Sequence, residues 1–509
     1  MKILLVYPHY PATFWSFRYA MKFINRKASF PPLGLLTVAA MLPESWEKRL
    51  IDMNVTSLTA EDLSWADYVF ISAMSIQRQS AHDVIEQCRR LEVKTVAGGP
   101  LFTSCPEDFP AVDHLVLGEA EISLPLFLAD LGRAVPRRIY SAEGWAQLQE
   151  TPVPLWDLVK MKDYAAMNIQ YGRGCPFDCE FCDITALFGR KPRSKGPAQL
   201  VAELESLYVR GWHGAVFFVD DNFIGDKARL KREVLPLIID WMAERDYPFY
   251  FYTEASIDLA DDPQLLELMV RAGFEEVFIG IETPHEGGLV ECGKVQNKNR
   301  DLLASVKRIQ QTGLQVHGGF IVGFDSDPAT IFERQIGFIQ ESGIVTAMVG
   351  VLSALRGTKL YQRLEHEGRL LKASSGDNTA IDLNFIPRMR PEVLIAGYQR
   401  ILTTIYAPKL YYQRVINLFR EYQPRPQGRY RLQPGYIGAF FKSILLMGVL
   451  GKERRHYWKL ICWSLCKKPR LFPLAITYAV YGYHFRKVTE QIMVNGMFND
   501  QVAWEKTVK

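Results

Sequence analysis

An α/β architecture is predicted: a doubly wound, Rossmann-like parallel sheet, then a partial (β/α)6 barrel of the TIM type, then a mainly helical C-terminal domain. Three observations predict it. Over the first 135 or so residues, short apolar β-branched runs alternate with helical patterns. From about residue 166 the alternation restarts with a longer period, and beyond about residue 383 it gives way to aromatic, basic, helix-like sequence. The chain therefore divides into 1–135, a linker over 136–165, 166–383 and 384–509. Its 509 residues are too many for one ordinary core, and 48% hydrophobic against 23% charged residues is a globular balance, not a disordered one.

In the first unit, strands are expected at 3–7, 49–52, 68–73, 95–98 and 114–117, with helices at 33–42 and 81–91. Doubly wound sheets bind ligands outside the carboxyl ends of their strands. That edge carries Ser72, Met74 and Ser75, then Gly98 and Gly99, then Gly118 and Glu119. Glycine there lets a large ligand come close to the backbone. No G-x-G-x-x-G follows the first strand, which disfavours a nicotinamide dinucleotide. The opening residues lack the apolar length and cleavage site of a signal peptide, and eight cysteines in this length suit a reducing cytosol, so a cytoplasmic location is expected. Cys88, Cys105 and Cys292 are isolated and read as ordinary buried thiols, while Cys462 and Cys466 share a helix face.

In the second unit, strands are expected at 167–171, 216–220, 249–253, 277–281, 316–322 and 347–352. Helices fill the gaps at 197–210, 229–245, 264–272, 300–311 and 329–341. Polar residues gather where the strands end: Asp220, Asp221 and Asn222; Glu254 and Ser256; Glu282 and Thr283; Asp325; Ser353. At the same mouth, after the first strand, lie Cys175, Cys179 and Cys182. Their C-x3-C-x2-C spacing suits one face of a cubic iron–sulfur cluster, with three irons ligated and the fourth left open. Structural zinc wants four closed ligands, usually two separated C-x2-C pairs, and no second pair exists. A disulfide would leave one cysteine of the three over.

The tail is electrically distinct. Residues 401–509 hold 18 Lys+Arg against 5 Asp+Glu, a net of +13, leaving −9 on the remainder. Its apolar stretches fall short of the roughly 18–20 residues of a membrane span. Two readings stand: a basic amphipathic surface resting on anionic lipid, and a helical cap over the barrel with solvated positive faces, the second weighing more. No recognised nucleic-acid module accompanies the charge, and nucleic acid is not expected.

These residues resemble the cobalamin-binding radical S-adenosylmethionine (SAM) proteins over nearly the whole chain. The N-terminal likeness lies in Pro31-Pro32-Leu33-Gly34-Leu35-Leu36, Gly98-Gly99-Pro100 and Gly118-Glu119-Ala120-Glu121. In the barrel it lies in Arg173-Gly174-Cys175 through Cys182, Val219-Asp220-Asp221-Asn222-Phe223, Gly280-Ile281-Glu282-Thr283 and Gly319-Phe320-Ile321-Val322-Gly323-Phe324. The tail resembles the extra domain of a subgroup related to bacteriochlorophyll side-chain and hopanoid methylases. The resemblance implies a 4Fe–4S cluster on the three cysteines, SAM on its open iron, and cobalamin on Ser72, Met74, Ser75, Gly98, Gly99, Gly118 and Glu119. It also implies Phe181 against the adenine, the Asp220, Asp221 and Asn222 segment at the SAM amino group, and Glu254, Ser256 and Glu282 around ribose and methionine. The D-x-H-x-x-G of histidine-ligated cobalamin domains is absent. His9 is not expected to replace it, and the 72–77 loop is expected to face the lower side of cobalt.

The implied activity is radical methylation of an unactivated carbon on a large hydrophobic substrate, a tetrapyrrole or polycyclic isoprenoid, with methylcobalamin as methyl donor. A flavodoxin- or ferredoxin-type electron donor is expected as a partner, and peripheral membrane contact through the tail goes with the lipid reading above, against the cap. The alternatives are a cobalamin-dependent radical enzyme that forms rings or C–C bonds without methyl transfer, and a non-catalytic cobalamin or iron–sulfur sensor.

Overall fold

The computed structural model describes residues 1–381, 383–425 and 434–507, with side chains left out at 434–436 and 495–507. The first unit is a parallel sheet of β1 (Lys2–Tyr7), β2 (Glu47–Asp52), β3 (Tyr68–Ser72), β4 (Lys94–Gly98), β5 (His114–Val116) and β6 (Ile139–Tyr140), ordered β2-β1-β3-β4-β5-β6. In β1, Ile3 and Leu5 pack with Leu35 and Phe127 on one face, while Leu4 and Val6 pack with Val84 and Phe102 on the other. Burial on both faces is why β1 reads as an unbroken apolar run. The strand order reverses at β1, which opens a crevice at the carboxyl edge between β1 and β3. The stretch expected as a linker departs from expectation. It supplies the edge strand β6, with Leu115 opposite Ile139 and Val116 opposite Tyr140. A two-residue strand has no period to read.

The second unit holds β7 (Met167–Ile169), β8 (Gly172–Arg173), β9 (Arg193–Ser194), β10 (Gly214–Phe218), β11 (Phe249–Ala255), β12 (Phe274–Glu282), β13 (Gln315–Val322) and β14 (Ala347–Val351). Six of these form a parallel sheet ordered β14-β13-β12-β11-β10-β7, while β8 and β9 pair antiparallel outside it. Along β11, Phe249, Phe251, Thr253 and Ala255 are buried, and the alternate Tyr250, Tyr252 and Glu254 are half-buried on the opposite, lumen-facing side. Part of the lumen is filled from outside the barrel. Trp15 meets Phe278 edge-on and donates through Nε1 to the Met348 sulfur at 2.9 Å, and Phe30 packs on Phe217 and Tyr252.

The tail caps the amino ends of β13 and β14. Tyr406 donates to the Ala347 carbonyl (2.6 Å), Tyr422 to the Gly313 carbonyl (3.0 Å) and Tyr478 to Gln315 Oε1 (2.7 Å). The helix Pro391–Ile405 lies along Ile331–Ser342, and Gly397 sits where any side chain would strike the Phe332 ring. Tyr411, Tyr412, Tyr478 and Phe485 are buried, so much of the aromatic content of the tail is core and not a stacking surface for bases. The tail thus packs its inner face on the barrel, while its segment 437–450 keeps exposed apolar residues on the outer one. No helix among the described residues is long and apolar enough to cross a membrane.

Candidate active site

The cysteine loop runs between β8 and β9. Gly174 turns at φ +91°, and a Cβ there would lie 3.0 Å from the carbonyl oxygens of Gly189 and Lys191. The Cys175 N–H donates to the Gly189 carbonyl (3.3 Å), Cys182 N–H to the Cys179 carbonyl (3.1 Å) and Glu180 N–H to the Cys292 carbonyl (2.8 Å). Burial pushes all three thiols up, and metal binding must displace those protons. Among the described residues no three His, Cys, Asp or Glu side chains converge as a mononuclear ion requires. The three cysteines share the one loop between β8 and β9, the placement a cluster ligated by C-x3-C-x2-C would need.

The carboxylates at the mouth have different jobs. Asp220 is buried and accepts from the backbone N–H groups of Tyr171 (3.0 Å) and Gly172, so it holds the entry to the cysteine loop. Asn222 accepts through Oδ1 from the Ser256 N–H (3.2 Å) and hydroxyl (3.4 Å), with its Nδ2 3.9 Å from the Cys175 sulfur. Asp221 and Glu254 pair with no cation among the described residues. Burial raises Asp221 to about 7 and Glu254 to about 8. Half-buried acids with no ion-pair partner of their own, only the more distant charges of Arg173 and Lys294, fit a cationic ligand, and SAM carries an ammonium and a sulfonium. Phe181 packs at the loop against Phe324, ring centroids 6.4 Å apart.

Glu282 sits at a bulge in β12 with φ +63° and forms an ion pair of 2.6 Å with Lys294. A Cβ on Gly280 would come within 2.7 Å of Lys294 Nζ, so glycine makes room for the pair. Lys294 is largely enclosed, and its charge opposes the burial effect on the thiols of Cys175, Cys179 and Cys182. Sequence reasoning missed Lys294. Nothing local marks it, and only the bulge and the following turn bring it to the cysteine loop.

Between the carboxyl edge of the first sheet and the barrel mouth lies a cavity of about 720 Å³. Ser72, Met74, Gly98, Gly99, Gly118 and Glu119 line it, as does Asp221 from the barrel. Ser75 does not; it lies under Gly376, whose Cβ would be 2.6 Å from its own. His9 is exposed and does not line the cavity. Segments not singled out from the sequence complete the wall, notably Trp15, Phe30 and 376–379.

Three of the expected cobalamin contacts take different physical roles. A Cβ on Gly98 would meet the Val116 carbonyl at 2.7 Å, and one on Gly99 the Ser72 hydroxyl at 2.6 Å. These glycines let protein segments close on each other, whereas Gly118, at φ +75°, faces open space. Glu119 is occupied by protein. It accepts from Arg173 (2.9 Å), Arg193 (2.9 Å) and the Ala146 N–H (2.7 Å), while Glu121 accepts from Arg173 at 2.8 Å. This buried network clamps the β8–β9 hairpin to the first sheet.

Comparison with known proteins agrees with this layout. Residues 23–128 match the B12 binding domain family, 169–333 the radical SAM superfamily and 358–496 a domain of unknown function, DUF4070. An uncharacterized methyltransferase of Synechocystis is 39% identical, covering 96% of this chain and 92% of that protein. The hopanoid C-2 methylase of Rhodopseudomonas palustris is 35% identical over 90% of this chain and 88% of its own length. The bacteriochlorophyllide d C-8(2)-methyltransferase of Chlorobaculum tepidum is 22% identical over 85% and 95%. In fold, the chain is similar to the cobalamin-dependent radical SAM enzyme OxsB, with a TM-score of 0.63 and 14% identity over 98% of this chain and 80% of that one. It is also similar to the methyltransferase TsrM of Kitasatospora setae, with a TM-score of 0.61 and 15% identity over 96% and 99%.

Proposed function

The chain belongs to the cobalamin-dependent radical SAM methyltransferase family, and on that premise we propose that it methylates an unactivated carbon of a large, hydrophobic, polycyclic substrate. The observation that carries this reading is the aromatic wall of Trp15, Phe30 and Phe217 on the cavity that the cobalamin edge and the barrel mouth share, an apolar face suited to a hydrophobic substrate brought between the two cofactors. The 35% identity to a hopanoid C-2 methylase supports a polycyclic isoprenoid over a tetrapyrrole.

When bound, the cluster and SAM supply a radical that removes hydrogen from carbon, and cobalamin supplies the methyl group. The protein holds and shields. Cys175, Cys179 and Cys182 would hold the cluster, with Asp220 and the clamp at Glu119 and Glu121 fixing their loop. Asp221 and Glu254 would receive the positive charges of SAM, Phe181 its adenine, and Asn222, Ser256 and Glu282 would frame the same pocket. Gly34, Met74 and Gly118 would border cobalamin. The aromatic wall keeps water from the reacting carbon. A flavodoxin- or ferredoxin-type protein would deliver the electron.

The test is an incubation of reduced holoenzyme with methyl-deuterated SAM and hydrophobic lipid extract. The methyl group keeps its hydrogens in transit, so the product gains about 17 mass units, CD3 replacing H. A product that has lost hydrogen and carries no deuterium would instead mean ring or C–C bond formation.

A further inference from the structure

We propose that the tail docks the protein on the surface of an anionic lipid bilayer, through an apolar stripe along the helical segment 434–450. Ile437, Phe441, Leu445 and Val449 recur every fourth residue and are 53, 64, 53 and 53% exposed, with Leu450 beside them at 68%. The opposite side of the same segment is packed. Ala439, Ser443, Met447 and Gly448 are buried, and a Cβ on Gly448 would lie 3.0 Å from the Tyr457 ring. Trp458 donates through Nε1 to the Gly448 carbonyl at 2.9 Å and sits, 39% exposed, at the end of the stripe.

An apolar patch of this size facing water on one side of a helix calls for a partner. Charge says which. Immediately after the stripe come Lys452, Arg454, Arg455 and Lys459, all exposed and paired with no carboxylate among the described residues. Within the segment, next to Phe441, Lys442 donates to the Lys22 carbonyl (2.9 Å) and to Asn25 (2.7 Å), which ties the stripe to the helix Arg18–Ile24 and its exposed Lys22. A second copy of the tail would set one net charge of +13 against another. Anionic headgroups complement that charge, and acyl chains take the stripe. The segment is too short to span a bilayer and is built to lie in its plane, with lysine and arginine at the headgroups and tryptophan at the boundary.

Helix Arg18–Ile24 directly follows the cavity-wall residues Thr13, Phe14, Trp15 and Ser16. Docking therefore sets one wall of the cavity next to the phase in which a hydrophobic substrate dissolves. This last step rests on the substrate proposed above; the docking itself does not.

The experiment is flotation of the full-length holoprotein with vesicles of phosphatidylcholine, with or without phosphatidylglycerol. Binding is expected only with phosphatidylglycerol, weakening as salt rises. Phe441→Asp/Leu445→Asp should lower the partition coefficient at least about tenfold while cobalamin stays bound. Lys452→Glu/Arg455→Glu should lower it as well and flatten its salt dependence. Should the apolar double variant misfold, Leu450→Ser at the exposed end replaces it. No binding, equal binding by the stripe variants, or a concentration-dependent dimer broken by the same substitutions would each overturn the proposal. Methyl transfer to detergent-dispersed substrate tests the catalytic reading separately.

Discussion

Lys294 and Glu282 are 12% and 8% exposed in their side chains, beside the loop proposed to hold the cluster. Removing one member of a buried ion pair strands the other, at about 3–5 kcal/mol. Lys294→Met should therefore lower the stability of the apoprotein by that order, and Lys294→Met/Glu282→Gln should recover most of it in denaturant titrations. In the reconstituted single variant the cluster should reduce at a lower potential, because a nearby cation favours the added electron. Unchanged stability and potential would mean that the pair is solvated and remote.

Glu254 carries the pH dependence. Burial raises it to about 8, above the ordinary glutamate value of about 4.3 expected in the unfolded chain. In the apoprotein its stabilising contribution is thus present below about pH 4 and lost as pH rises through about 8. A cationic ligand reverses the preference and favours the ionised acid. SAM should bind more tightly at pH 8 than at pH 6 and release protons on binding, measured calorimetrically in buffers of different ionisation heat. Glu254→Gln should flatten both effects. The types at the mouth were legible from where strands end, and the cysteines from their spacing. Their division of labour was not, because whether an acid caps backbone N–H groups, as Asp220 does, or stays unpaired, as Asp221 does, depends on contacts 48 or 49 residues away.

At the scale of elements, most strands of five or more residues bury an apolar run, though β2 buries only Asp52. Such strands were read within two residues at each end, except β12, which starts at Phe274, three residues before the expected 277. The two-residue β6, β8 and β9 were not, and β8–β9 is the hairpin that carries the cluster loop. The helix Leu33–Met41 yields the cleanest test of the cobalamin edge. Gly34 lines the cavity with nothing within 4 Å of its would-be Cβ. Gly34→Trp should fill ligand space, abolish cobalamin retention and leave the near-ultraviolet dichroism of the apoprotein intact. The same change at Gly98 should instead unsettle the sheet, because it meets the Val116 backbone. Cobalamin retained at wild-type stoichiometry by Gly34→Trp would place the cofactor elsewhere.

At the scale of the whole molecule, the sequence divides more cleanly than the structure does. Composition separates sheet, barrel and tail, yet periodicity carries no sign that residues 13–30 leave the first unit to fill the second. Those residues sit in the same core cluster as the barrel and the tail. Phe14 stacks on Phe485 with ring centroids 4.3 Å apart, and its carbonyl accepts from His484, 470 residues further on. This bears on how the chain is made. On a ribosome the first sheet has every strand it needs after about 140 residues, yet the segment between β1 and β2 must wait for almost the whole chain before its partners emerge. Contacts of such sequence separation are late and slow to form. Trp15 finds Phe278 and Met348 once the barrel strands are made, but Phe14 and Phe17 stay without their closest ring partners until Tyr481 and Phe485 emerge, so the last of this plug can seat only after the tail helix has formed.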